Sequence, residues 1–151
     1  MKIQVPQEVL DAFTSYVPGL PEHSAGKITV ERIANGLINQ SYKVCCELKP
    51  DLFLQRINKK VFQRPHEVQE NYIRIAEYAE FEFTGLRLPH PVYCGEQISI
   101  FVDADEYYWR AFEFIADSKM MNVAEKASQA KATARAFAKF TAAFNEFNVN
   151  L

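Results

Sequence analysis

A glycine-bearing turn, an arginine and a row of helix carboxylates are the groups whose types and spacing bear on chemistry. The turn is Ala34-Asn35-Gly36-Leu37-Ile38-Asn39-Gln40-Ser41-Tyr42. A small residue at such a turn lets backbone N–H groups come close to an anion. Arg56 follows in Leu52-Phe53-Leu54-Gln55-Arg56-Ile57, and Glu67, Glu70, Glu77 and Glu80 come after it. A carboxylate on a helix can hold an arginine straight, and a cation held that way can neutralise a polyphosphate. Each part alone has a plainer reading: one glycine makes an ordinary hairpin, and one arginine on a sheet face is ordinarily solvated.

The other reactive groups read as structural. Glu77, Glu80 and Glu82 make a charged helix end. Asp103, Asp105 and Glu106 lack the glycine and spacing of a calcium loop and read as a hairpin turn. Cys45 and Cys46 fall mid-strand, where one of the two faces the core, and no histidine lies near them to activate a thiol. His66 and His90 stand beside prolines at element ends, and His23 precedes the first strand. No catalytic residue and no metal ligand is assigned within the chain.

These groups need elements to position them. Residues 6–16 form a short helix with Val9, Leu10 and Phe13 along one edge, and Pro18, Gly19 and Pro21 end it. Alternation predicts strands at Ile28–Ile33, Ser41–Leu48 and Leu52–Ile57, with turns at Asn35-Gly36 and Lys49-Pro50-Asp51. Pro65–Phe83 is a helix with Val68, Tyr72, Ile75, Ala76 and Ala79 at helical spacing, ended by Gly85 and Pro89. Further strands follow at Pro91–Cys94, Ile98–Asp103 and Tyr107–Ile115. Ala124–Phe147 is a long alanine-rich helix whose Phe137, Phe140, Phe144 and Phe147 make an aromatic stripe.

The fold class is therefore α+β: an antiparallel sheet of five or six strands with one long helix, then a hinge and a C-terminal helix. The divisions expected are 1–27 as helix and lead-in, 28–116 as the sheet lobe, and 117–151 as hinge and helix. A length of 151 residues with 48% apolar composition is enough for a core without staples. The net charge of −2 argues against a nucleic-acid partner. There is no apolar run of membrane-spanning length and no secretory leader, and three cysteines without metal spacing suit reduced thiols, so the expected location is cytoplasmic and no membrane partner is expected.

The order of elements is that of a protein-kinase small lobe, and the wording of the segments is more particular. Gly36-Leu-Ile-Asn-Gln-Ser-Tyr42, Phe53-Leu-Gln-Arg-Ile-Asn58, Val61-Phe62, Pro65 and Glu70-Asn71 resemble the N-terminal part of the aminoglycoside phosphotransferase-like family. The branch they look most like is the N-acetylhexosamine 1-kinase group, with its G-H-I-N-D-T-Y-like turn and L-Q-R-I-N strand. Trp109-Arg-Ala-Phe-Glu-Phe-Ile115 resembles that family's last small-lobe strand and hinge, and residues 130–147 its post-hinge helix. Gln40 stands where the branch tends to carry Asp.

The resemblance implies a function. Gly36, Leu37, Ile38, Asn39 and Ser41 would cover the phosphates of ATP. Arg56 would be the phosphate-contacting cation and Glu70 its helix partner, although at 100° per residue Glu70 lies opposite the helix's apolar stripe and Glu77 shares its face. Phe112 would back the adenine pocket, with the carbonyl of Glu113 and the N–H of Ile115 on the adenine edge. The reaction implied is phosphoryl transfer from ATP to a hydroxyl on a sugar or amino sugar, with Mg²⁺ held by a large lobe. The last aspartate is Asp117, and no catalytic loop follows it. The chain is expected to be the N-terminal lobe of a longer enzyme, inactive alone and self-associating through the 124–147 helix. The alternative is a stand-alone interaction or dimerisation module on a kinase-like scaffold.

Overall fold

The computed structural model describes residues 5–20, 28–34, 36–47, 49–82, 87–118, 121, 123–145 and 147. Pro21, His23, Asn35, Leu48, Phe83 and Gly85, named above, lie outside them. The described elements are α1 (Gln7–Tyr16), β1 (Ile28–Ile33), β2 (Gln40–Cys46), β3 (Lys49–Ile57), α2 (Pro65–Glu82), β4 (Pro91–Val92), β5 (Ile100–Val102), β6 (Tyr108–Glu113) and α3 (Ala127–Ala143). The fold is α+β with a six-stranded antiparallel sheet and three helices among the described residues. Two compact units make up the chain: Met1–Asn71 with Pro89–Ile115, and Tyr72–Leu88 with Ala116–Leu151.

The first unit holds the sheet, ordered β1-β2-β3-β6-β4, with β5 also pairing β6. Pro91 and Val92 lie opposite Phe112 and Ala111, and Ile100–Val102 lie opposite Arg110–Tyr108. β4 and β5 are thus two pieces of one edge line. Strand alternation sorts the side chains onto two faces. Tyr42, Val44, Cys46, Leu52, Leu54, Trp109 and Ala111 share one core cluster with Val9, Ala12, Phe13 and Tyr16 of α1. The helix positions run i, i+3, i+4, i+7, a single apolar stripe. Trp109 and Phe13 are fully buried and anchor this layer.

Tyr16 closes the layer from within. Its hydroxyl donates to the carbonyl of Trp109 at 2.6 Å and accepts the N–H of Phe101 at 3.0 Å, with the carbonyl of Ser99 at 3.1 Å. One side chain thereby ties α1 to both β5 and β6. The turn between those strands is held by Asp103, whose Oδ1 accepts the N–H groups of Asp105 (3.0 Å) and Tyr107 (2.9 Å). Its Oδ2 accepts the Trp109 indole N–H at 2.7 Å. The Asp103–Glu106 stretch is accordingly a hairpin turn with its first carboxylate fully engaged.

Two local expectations need correction. Lys49-Pro50-Asp51 is not a turn but the start of β3, since Cys46 pairs with Lys49 across a register shift. Proline is tolerated at such an irregular strand start, where the ladder does not need its N–H. On α2 the buried line is Pro65, Gln69, Ala76 and Ala79, with Val68, Tyr72 and Ile75 only half-buried. The deepest α2 side chain in the first unit is therefore a glutamine.

In the second unit α3 starts where the Gln129 side-chain oxygen accepts the N–H groups of Glu125 (2.8 Å) and Lys126 (2.9 Å). It ends at Ala143, so Phe144 and Phe147 leave the helical spacing. Those two rings pack on Tyr78 at 5.5 Å and 4.8 Å between centroids, and Phe140 joins Phe144 at 4.6 Å. Phe137 stays 72% exposed, so the predicted stripe is split. Among the described residues no helix is long and apolar enough to cross a membrane.

Candidate functional site

Two neighbouring rungs of the sheet carry the polar groups that could do chemistry, and they face opposite ways. The register sets Ser41, Gln55 and Arg110 side by side across β2, β3 and β6. The next rung sets Gln40, Arg56 and Trp109 side by side. Trp109 belongs to the α1 core cluster, so Arg56 lies on the α1 face. Gln55 and Arg110 lie on the other face, where α2 contributes Gln69.

Gln55 is the hub of the first rung. Its Oε1 accepts Arg110 Nε at 2.9 Å and Nη2 at 2.6 Å, and its Nε2 donates to Ser41 Oγ at 3.0 Å. Arg110 Nη1 donates to Gln69 Oε1 at 3.4 Å. Gln69 is completely buried, and its Nε2 has no acceptor. A buried amide donor left without a partner costs about 1–3 kcal/mol, which is tolerated where a ligand can satisfy it. Arg110 also lies over the Phe112 ring at 5.2 Å, and Phe112 meets Phe53 at 6.2 Å. The face thus presents an oriented arginine beside two aromatic rings.

The turn joins this network through Asn39. Its Nδ2 donates to Gln55 Oε1 at 3.3 Å, and its Oδ1 accepts the N–H of Asn58 at 2.9 Å. Asn58 returns a bond to the carbonyl of Ile38 at 3.3 Å. Residues of the Gly-Leu-Ile-Asn turn and of the Leu-Gln-Arg-Ile-Asn strand therefore bond to one another, which is a physical reason for the two segments to occur together. Gly36 is needed for a different reason than ligand approach alone: a Cβ there would stand 2.9 Å from the backbone oxygen of Asn39. Leu37 at the turn tip is 99% exposed and Ile38 about half exposed.

The remaining predicted groups fall as follows. Arg56 lies over the Tyr107 ring at 4.2 Å and the Trp109 ring at 5.8 Å. Glu70 is exposed and makes no ion pair with Arg56, and Glu77 is exposed as well. The reason is the helix phase: Gln69, not Glu70, faces the sheet. Ser41 and Phe112 are buried on the Arg110 face. The N–H of Glu113 bonds the carbonyl of His90 at 2.9 Å and that of Phe114 the carbonyl of Asp51 at 3.0 Å. Ile115 follows, half-buried. His66 and His90 are exposed, Cys46 is buried, and burial pushes the thiols of Cys45 and Cys94 above the ordinary cysteine value.

Sequence reasoning missed Gln55, Arg110 and Gln69 as site residues. Parity could have found the first, since Gln55 alternates with Leu52, Leu54 and Arg56 and so must take the other face. No family model and no curated protein matches the chain.

Proposed function

We propose that this chain forms the nucleotide-binding lobe of an ATP-dependent small-molecule phosphotransferase of the kind its sequence resembles. The observation that carries the reading is the grip on Arg110: Gln55 from β3 and Gln69 from α2 orient it, and Asn39 fastens the Gly36 turn to the same glutamine. A triphosphate needs a fixed cation near a turn whose backbone approaches it, and this arrangement has both parts. The cation is Arg110, where the sequence alone suggested Arg56.

In this reading the Gly36–Ser41 turn covers the phosphates, Arg110 donates to their oxygens, and Gln69 Nε2 finds its acceptor there. Phe53 and Phe112 flank the base, whose edge meets the backbone leaving β6. ATP supplies the phosphoryl group when bound, and the sugar-like acceptor follows from the resemblance alone. The described residues contain no group of three His, Cys, Asp or Glu able to hold a metal, so Mg²⁺ is assigned to no residue here.

Equilibrium dialysis of ATP against the 151-residue chain tests the reading. Arg110→Gln should weaken ATP binding by about tenfold or more, the loss of one charge-assisted contact, while Arg56→Gln leaves it unchanged. Equal affinity of Arg110→Gln and wild type would refute it. A second reading, a self-associating module, draws on the exposure of Phe137 and of nearly all of α3. It requires a concentration-dependent dimer in sedimentation that Phe137→Ser abolishes.

A further inference from the structure

Arg56, released from the role the sequence suggested for it, sits in an unusual setting. Its guanidinium is stacked on Tyr107 and half-buried, yet it has no hydrogen-bond or ion-pair acceptor among the described residues. Stacking fixes the plane of the group while its N–H edge stays available for a planar or tetrahedral anion. Arg56 lines a cavity of about 370 Å³ with Gln40, Lys59, Lys60, Glu106 and Tyr107 among its walls.

The charges in that cavity are held without being cancelled. Lys59 Nζ lies 4.8 Å over the Tyr108 ring and 3.4 Å from its hydroxyl, so a ring and a neutral oxygen position it as a ring positions Arg56. Aromatic faces hold cations in place and leave their full charge to act outward. Three cations face one carboxylate, Glu106, an excess of two positive charges in a protein whose net charge is −2. A pocket of this size with a local positive focus suits a small dianion.

We propose that this cavity binds the dianion of a phosphate or small phosphate monoester, at a site whose walls include none of Gln55, Gln69 and Arg110. Arg56 binds two phosphate oxygens through its N–H edge, and Lys59 and Lys60 supply the remaining charge. Gln40 Oε1 is occupied by the Tyr42 hydroxyl at 3.2 Å, which leaves its Nε2 to donate to the ligand. The inference rests on Arg56 and its neighbours alone and stands whether or not Arg110 binds ATP.

The test uses the 151-residue chain and two probes, inorganic phosphate and β-glycerophosphate, followed by ¹⁵N NMR of the arginine Nε–H and backbone groups. Either probe should shift the Arg56 Nε–H and the Lys59 and Lys60 amides, and the tighter of the two identifies the source of the phosphate. Arg56→Gln should weaken binding about tenfold and Lys60→Gln about threefold, as expected for loss of a bidentate and of a single charged contact. Lys60 is exposed and its side chain makes no hydrogen bond or ion pair among the described residues, so its variant reads binding even where Arg56→Gln loosens the Tyr107 region. Arg110→Gln should leave phosphate binding at Arg56 unchanged. Shifts confined to Arg110 and Gln55, or the absence of shifts with both probes, overturn the inference. Displacement of phosphate from Arg56 by ATP also overturns it, since the nucleotide tail would then occupy this face.

Discussion

Tyr16→Phe removes a single oxygen from the interior of the sheet unit, and the structure sets what that costs. The ring is 3% exposed and stays in place, so packing is nearly unchanged. What goes is the bond to the Trp109 carbonyl and the bond from the Phe101 N–H. Two net hydrogen bonds and a stranded buried N–H together amount to about 2–3 kcal/mol. For a chain of this length that is roughly 5–10 °C in melting temperature. Trp109 is the only tryptophan and is fully buried, so its emission moves to the red as the unit unfolds, giving a direct readout in a urea titration. A second arm uses pH. Burial, ahead of any other influence, pushes the Tyr16 hydroxyl far above the ordinary tyrosine value. The unfolded chain then releases this proton near about pH 10 while the folded chain keeps it. The wild type holds the full contribution below about pH 10 and loses up to about 1.4 kcal/mol per pH unit above it, a slope Tyr16→Phe lacks. The gap between the two proteins therefore narrows as pH climbs. A loss under about 1 kcal/mol at neutral pH, or a gap that does not change with pH, would refute this account of Tyr16.

Gly36→Ala places a Cβ against the Asn39 carbonyl and forces the turn open, with an expected cost of about 1–2 kcal/mol in a urea titration; an unchanged midpoint would mean the turn has room. Asp103→Ala strands the Trp109 indole N–H and two backbone donors, lowering stability by about 2–3 kcal/mol, and Asp103→Asn should recover part of this because it keeps the oxygen that holds the turn.

The elements were legible because their periodicities are clean. Ile28–Glu31 alternates apolar and polar residues, and Val9, Phe13 and Tyr16 fall on one helical stripe. The Lys49–Asp51 error arose because proline is strong turn punctuation locally, while the register shift that admits it to β3 is a property of the pair of strands. The site was harder to see because its centre depends on phase. Gln55 and Arg56 are neighbours in sequence with opposite faces, and so are Gln69 and Glu70. Charge drew attention to Arg56 and Glu70, whereas the face that α2 covers selects the two amides. No local pattern marks a glutamine as the deepest residue of a helix, since burial of that side chain depends on an arginine more than forty positions away.

The way the sheet ends on each side bears on how copies of this chain meet in a crowded solution. Among the described residues β1 has a neighbour on one flank only, and Thr29, Glu31 and Arg32 are exposed along it. On the opposite flank the ribbon is cut between Val92 and Ile100 by a detour in which Cys94 and Ile98 bond each other. A stranger's strand would meet charge at one border and a broken ladder at the other, so template-driven fibre growth is discouraged at both. Contacts between molecules are left to side-chain surfaces, where a single substitution can tune them.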